Sequence, residues 1–86
     1  MQQFSGRNTA PTTPTSILTD EINLDIGLVK ISVASTEASG VFVCAYNDSD
    51  GIDIEPGNSS WFPVQNLKFL KVGSVSGTVQ YTYFAR

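Results

Sequence analysis

Carboxylates are the residues of this sequence whose type and spacing could support chemistry. Asp48, Asp50 and Asp53 lie close together in a turn-rich segment, and Ca2+ prefers oxygen ligands of this kind. The spacing excludes an EF-hand loop, because Tyr46 and Gly57 would take its first and twelfth positions, where neither supplies a carboxylate. A looser calcium site formed by the three aspartates remains an alternative to our prediction, which is that no metal is bound.

The means of catalysis are otherwise missing from the sequence. It contains no histidine, which removes the commonest general base and the Ser-His and Cys-His nucleophile pairs. Asp53 and Glu55 resemble the carboxylate pairs of glycoside hydrolysis, but a body of this size leaves little room for a substrate cleft. Gly73 and Gly77 lack the Gly-Lys-Ser/Thr ending of a phosphate-binding loop. We therefore predict a protein that is not an enzyme and has no cofactor.

Composition indicates one small domain that binds neither nucleic acid nor a membrane. Five Lys and Arg against eight Asp and Glu give a net charge of −3, which disfavours contact with phosphate backbones. We find no pattern typical of a signal peptide or a membrane span, so we expect a chain made in the cytoplasm. Cys44 is the only cysteine, and its apolar surroundings predict an inert core thiol.

The first 19 residues differ in composition from the rest. They are rich in Gln, Thr, Ser and Pro, and Pro11 and Pro14 favour extended or polyproline geometry. We predict an extended N-terminal arm over residues 1–19 and a β-domain over residues 20–86, with a disordered tail as the alternative for an isolated monomer. The arm would hold neighbouring subunits together, and its removal as far as Ser16 would leave the β-domain folded.

Alternating apolar residues predict strands in the first half of the β-domain. The acidic segment from Asp20 to Asp25 alternates as a half-buried strand does, although Thr19 could instead cap a helix. The parity of the pattern changes at Gly27, which indicates a bulge or a turn. A second strand follows, with its apolar side on Val29, Ile31 and Val33. The run Val41–Tyr46 is apolar on both sides and predicts a central strand.

Turn residues divide the second half into further strands. Pro56 and Gly57 fit the central positions of a type II turn, and Pro63 confines the strand before it to a sheet edge or cuts it short. Alternation predicts a strand over Leu67–Val72, with residues 67 and 69 on one face. A final strand over Thr78–Ala85 follows, with Val79, Tyr81 and Tyr83 on one face. The fold class predicted is all-β, a small antiparallel sandwich or barrel with an extended arm.

Aromatic side chains are the remaining candidates for a binding site. Trp61, Tyr81 and Tyr83 could form a sugar-stacking or protein-docking platform. We favour the core for the two tyrosines, and for Trp61 both interpretations stay open because an edge strand is easily reached by a partner. The residues that we predict to make interactions lie in the arm and this strand: Phe4, Arg7, Pro11, Pro14, Ile17, Leu18, Trp61 and Phe62.

Several turn and strand signals of the second half occur in a recognisable order. These are Pro56-Gly57, Pro63-Val64, Asn66-Leu67, Leu70-Lys71-Val72-Gly73, and Gly77 followed by Val79-Gln80-Tyr81-Thr82-Tyr83. The order resembles the C-terminal half of small tailed-bacteriophage virion proteins, including auxiliary head proteins. The resemblance covers about the last 40 residues and leaves the arm outside.

The resemblance implies a β-fold that binds the outside of a capsid or joins parts of a virion, without catalytic residues. We therefore expect a capsid decoration or cement protein, located in the virion, that forms a homo-oligomer and binds the major capsid protein or other virion proteins. The alternatives are a connector, tail or fibre-base component, and a small β-module that binds a glycan or a protein.

Overall fold

The computed structural model describes residues 3–18, 22–45, 48 and 51–86. Within these ranges the chain forms eight strands and one 3-10 turn. In chain order they are β1 (Phe4–Ala10), β2 (Thr15–Ser16), β3 (Leu28–Ser32), β4 (Val41–Ala45), β5 (Ile52–Ile54), β6 (Ser59–Pro63), the 3-10 turn (Leu67–Phe69), β7 (Leu70–Gly73) and β8 (Val79–Ala85). No helix in these ranges is long and apolar enough to cross a membrane.

The strands form two four-stranded antiparallel sheets. Sheet I has the order β1-β8-β3-β6 and sheet II the order β2-β7-β4-β5. This order, with the chain crossing repeatedly between the two sheets, is a jelly roll, a sandwich of eight strands. The prediction of a small all-β sandwich is confirmed.

The core lies between the sheets and is built from the inward positions of each strand. Val29 and Ile31 of β3 are fully buried, as are Leu67 and Val72. The predicted inward positions of the last strand, Val79, Tyr81 and Tyr83, are also buried. Cys44 is also buried, as the sequence predicts, but it lies opposite Lys71 with the outward parity of β4 and is not part of the core cluster. β-branched residues on the inward side of β3 suit a pleated surface covered by a second sheet.

The segment predicted as an arm is extended, but it belongs to the sandwich. β1 pairs with β8 from Phe4 opposite Ala85 to Ala10 opposite Val79, and β2 pairs with β7. Ala10 has no exposed surface, and the Ser74 hydroxyl donates to its carbonyl oxygen at 2.6 Å. The structure thus places β1 and β2 inside the fold instead of in an arm beyond it.

Two segments that the sequence predicts as strands are irregular in the structure, and both are hydrogen-bonded to the buried side chain of Asn66. The Asn66 side-chain oxygen accepts from the backbone N–H of Ile22 at 3.2 Å and of Lys68 at 3.0 Å. It therefore caps the 3-10 turn Leu67–Phe69 where alternation predicted a strand. Residues 22–25 form only an isolated bridge between Asn23 and Asn66, so the strand predicted over 20–25 is wrong in the part that the structure describes.

The predicted turns are found where glycine permits them. Gly27 has φ +81° and Gly57 has φ +85°, a region that L-residues with side chains rarely adopt. The Asn58 N–H donates to the Glu55 carbonyl at 3.1 Å, which closes the predicted type II turn. The predicted edge strand before Pro63 is β6, which pairs with β3 alone. Most of the predicted turn between β4 and β5 lies outside the described residues.

Candidate functional site

Most of the residues predicted to make interactions serve the sandwich itself. Ile17 is buried, and Phe4 and Leu18 pack against the core. The Pro11 carbonyl accepts from the Ser74 N–H at 2.9 Å, and Pro14 is half-buried. The expectation that these five residues face a partner is therefore wrong for Ile17, which the core covers, and is not supported by the packing of the other four.

Phe62 is a further correction. It is 8% exposed and lies in the core cluster, because it alternates with Trp61 along β6 and so points between the sheets. Trp61 is 46% exposed on the outer face of sheet I. Arg7 is exposed on the same face, in β1 at the opposite edge of the sheet. Of the eight predicted residues, these two are the ones that the structure presents outward.

Trp61 belongs to a row of side chains that crosses sheet I. Lys30 of β3 lies opposite Trp61 on one side and opposite Phe84 of β8 on the other. Phe84 is 36% exposed. The guanidinium carbon of Arg86 lies 5.6 Å from the centroid of the Trp61 ring, within the range of a cation–π contact. We call these four residues, Lys30, Trp61, Phe84 and Arg86, the aromatic patch.

The cation on Trp61 limits what the indole can bind. A sugar that stacks on an indole needs an open ring face, and the Arg86 guanidinium lies over one face of Trp61. The Arg86 Nε is buried and has no hydrogen-bond partner among the described residues. The patch thus combines two partly exposed aromatic rings with two cations, which is the composition of protein-binding surfaces.

A polar groove lies beside the aromatic patch on the same side of the molecule. It has a volume of about 460 Å³, and Arg7 and Glu37 contribute its charged groups. One Glu37 carboxylate oxygen accepts from the backbone N–H of Gln80 at 2.9 Å, which fixes the loop between β3 and β4 over the start of β8. The remaining lining is made by Thr82 and by small residues of β3 and this loop.

The outer face of sheet II carries a second depression, of about 240 Å³. Asp53 of β5 lies opposite Phe42 of β4, and both line it together with Glu55 and the exposed Val75. Phe42 has room because of Gly73, where an added Cβ would lie 2.7 Å from the ring. We call the depression formed by Phe42, Asp53, Glu55 and Val75 the acidic concavity.

The described residues bring no metal-binding cluster of three or more His, Cys, Asp or Glu together. The loose calcium site considered from the sequence depends on Asp50, which lies outside the described residues. Asp53 and Glu55 instead border the acidic concavity. Both outer faces combine partly exposed apolar side chains with charged groups.

Sequence reasoning finds Trp61 but misses its neighbours. Phe84 has the opposite parity to Tyr81 and Tyr83 along β8, and this signal could have placed it on the outer face. Lys30 joins the patch through strand register and Arg86 through its contact with the Trp61 ring. No local pattern of the sequence contains either relation. Phe42 and Asp53 face each other across β4 and β5 for the same reason.

Tyr81 is buried between the sheets, as expected, and its phenol is held there by one side chain. Asn8 Nδ2 donates to the Tyr81 oxygen at 3.2 Å and to the Ile17 carbonyl at 2.9 Å. Burial raises the pKa of the Tyr81 phenol above its ordinary value of 10.0, the Asn8 hydrogen bond acts in the opposite direction, and nearby Tyr83 raises it further. The phenol is therefore a neutral part of the core at physiological pH.

We expect the raised pKa of Tyr81 to make the folded state sensitive to alkali. The contribution is fully present below the unfolded pKa near 10 and is lost as the pH rises through the higher folded pKa, because ionisation then favours the unfolded chain. Urea unfolding between pH 8 and 11 should show a steeper loss of stability in the wild type than in Tyr81→Phe. Equal slopes for the two proteins would contradict the assignment.

Comparisons with known proteins identify the fold and no family. No protein-family model matches the chain, and no curated protein matches it. A solved structure of Bacillus endospore appendages, described as a family of disulfide-linked pili, is similar with a TM-score of 0.60 and 16% identity, and the match covers 98% of this chain and 84% of that one. A cupin superfamily protein from Desulfitobacterium hafniense is similar with a TM-score of 0.53 and 12% identity, over 98% and 76% of the two chains.

Proposed function

We propose that this chain is a structural protein of a bacteriophage particle, a decoration protein that binds the outer surface of the head and links neighbouring subunits. The observation that carries the proposal is the aromatic patch. Trp and Arg are enriched among the residues that dominate binding energy at protein interfaces, and here an exposed Trp61 lies under Arg86. The resemblance of the second half of the sequence to small virion proteins supports the location in a bacteriophage particle.

The means of linking differs from the one that the sequence suggested. A free arm could reach across a neighbour, but β1 is paired with β8 over seven residues and would have to leave the sheet to do so. The outer faces of the sandwich need no such rearrangement. We therefore assign the contacts with neighbouring proteins to the faces, with the aromatic patch as the main contact.

The other virion locations stay open as alternatives and are separated by copy number. A decoration protein would be present in many copies over the head, whereas a connector, tail or fibre-base component would be present in about a ring's worth of copies. Quantitative mass spectrometry of purified particles, with the major capsid protein as the internal standard, distinguishes the two.

A filament subunit is the second candidate, favoured by the similarity to the spore-appendage structure. The disulfide linkage in that description has no exposed counterpart here, because the single cysteine, Cys44, is buried. Filaments of this chain would have to be held by non-covalent contacts. Electron microscopy of shells incubated with the protein separates the two candidates, since the decoration role predicts an ordered layer on the shells and the filament role predicts shells that stay bare.

Co-sedimentation with undecorated phage shells tests the decoration role. We expect the wild-type protein to pellet with shells, and Trp61→Ala to pellet at least about tenfold more weakly, because the substitution removes the main contact between neighbouring proteins on the shell. Ile52→Ala is the matched control, since Ile52 is 59% exposed but lies in the other sheet, and its binding should be unchanged. Failure of the wild type to pellet with shells would overturn the proposal.

A further inference from the structure

The two outer faces of the sandwich differ in charge. Three of the five Lys and Arg residues, namely Arg7, Lys30 and Arg86, lie on the side of sheet I. The one carboxylate in the polar groove there, Glu37, accepts from the backbone of β8. On the side of sheet II, Asp53 and Glu55 border the acidic concavity. A molecule with a cationic face and an acidic depression on the opposite face can attract copies of itself.

The two faces also match in shape and polarity. Trp61 stands out from sheet I with almost half of its surface exposed. The acidic concavity offers apolar walls, Phe42 and Val75, around a volume of about 240 Å³. If the indole enters this depression, Lys30 and Arg86 on the patch come close to the carboxylates at its rim. Apolar burial and opposite charge then favour the same arrangement.

We propose that the partner of the aromatic patch is a second copy of this chain, with Trp61 of one copy seated in the acidic concavity of the next. A symmetric dimer that joins patch to patch is disfavoured, because it would place Lys30 and Arg86 against their own copies. The contact is instead heterologous, between different surfaces of the two copies. Since the surfaces lie on opposite faces of the sandwich, each added copy presents a new free patch, and the assembly continues.

This inference deepens the proposed function, because it names one of the neighbours that the decoration protein links. The two can fail separately. A protein that self-associates but does not bind shells would overturn the decoration role alone. A protein that binds shells but shows no self-association through the patch would overturn the inference alone.

Two blocking variants test the direction of the contact. Trp61→Ala removes the inserted side chain and leaves the concavity intact, whereas Asp53→Lys reverses the charge of the concavity and leaves the patch intact. In sedimentation velocity over a concentration series, the wild type should grow beyond dimers, and the association should weaken with added salt. Each variant alone should associate at least about tenfold more weakly than the wild type.

An equimolar mixture of the two variants gives the decisive result. The intact patch of the Asp53→Lys copy should enter the intact concavity of the Trp61→Ala copy, so the mixture should form dimers and stop there. Monomers only in the mixture, or a wild type that remains monomeric at the highest concentration, would overturn the inference. Growth of either variant alone to wild-type assemblies would also overturn it.

A charge change outside the two surfaces provides the control. Asp48→Lys makes the same change as Asp53→Lys at an exposed acid that does not line the concavity. It should associate as the wild type does. If Trp61→Ala or Asp53→Lys lacks the circular dichroism of the wild type, Lys30→Glu and Glu55→Lys replace them with the same expected results.

Discussion

Deletion of residues 1–16 is expected to unfold the protein. The deletion removes β1 and β2, which are edge strands of the two sheets, and with them the fully buried Ala10. It exposes the side of β8 that β1 covers and leaves the Tyr81 phenol without Asn8. The free energy of unfolding of a domain of this size is only roughly 5 to 10 kcal/mol. The loss of seven paired positions and part of the core should cost more than this.

Thermal unfolding followed by circular dichroism measures the effect. The shortened chain should show no cooperative transition, whereas a chain that lacks only residues 1–3 should unfold at the wild-type temperature, because β1 begins at Phe4. A cooperative transition near the wild-type temperature in the shorter chain would indicate that the β-domain folds without residues 1–16, as the sequence alone predicts.

Leu67 and Phe69 should differ sharply in their contribution to stability, although alternation places them on one face of a strand. In the structure both lie in the 3-10 turn, where Leu67 is fully buried and Phe69 is 46% exposed. Leu67→Ala should cost about 3 kcal/mol, as the removal of a buried leucine side chain does. Phe69→Ala should cost less than about 1 kcal/mol, because surface substitutions have small effects.

Urea unfolding at pH 7 measures both free energies on the same scale. Val72→Ala is a useful reference, since Val72 is fully buried in β7 and should also destabilise the fold. Equal losses for Leu67→Ala and Phe69→Ala would indicate that the segment is a strand with both side chains inward, and the capped 3-10 turn would then be incorrect.

The strands that could be predicted are those whose inward positions are apolar. β3 and β8 alternate in this way, and Gly27 and Gly57 mark the turns through their positive φ. β1 escaped prediction because its two central inward positions, Gly6 and Asn8, are not apolar. Gly6 is needed there since an added Cβ would lie 2.8 Å from the Tyr83 hydroxyl oxygen, and Asn8 serves the buried Tyr81 phenol. Hydrophobic periodicity contains no signal for a strand that covers tyrosines with small and polar residues.

The candidate site was predictable only in part, because it depends on contacts between distant residues. Pro63 indicates an edge strand, which made a binding role of Trp61 as plausible as a place in the core but did not decide between them. Its neighbours Lys30 and Phe84 belong to β3 and β8 and reach it through register alone. Asn66 shows the same limit within the fold, since its bond to the Ile22 N–H spans 44 residues and replaces a strand that local alternation favours.

The pairing of β1 with β8 also determines when the protein can fold. Phe4 is opposite Ala85 and Ala10 is opposite Val79, so the first strand finds its partner only after the last one has been synthesised. Folds dominated by such distant pairings close slowly, in milliseconds to seconds. We therefore expect sheet I to stay incomplete until β8 has emerged from the ribosome. During that interval β8 has an open edge with which a β1 strand from another copy can pair. Synthesis of many copies close together therefore favours strand-exchanged dimers.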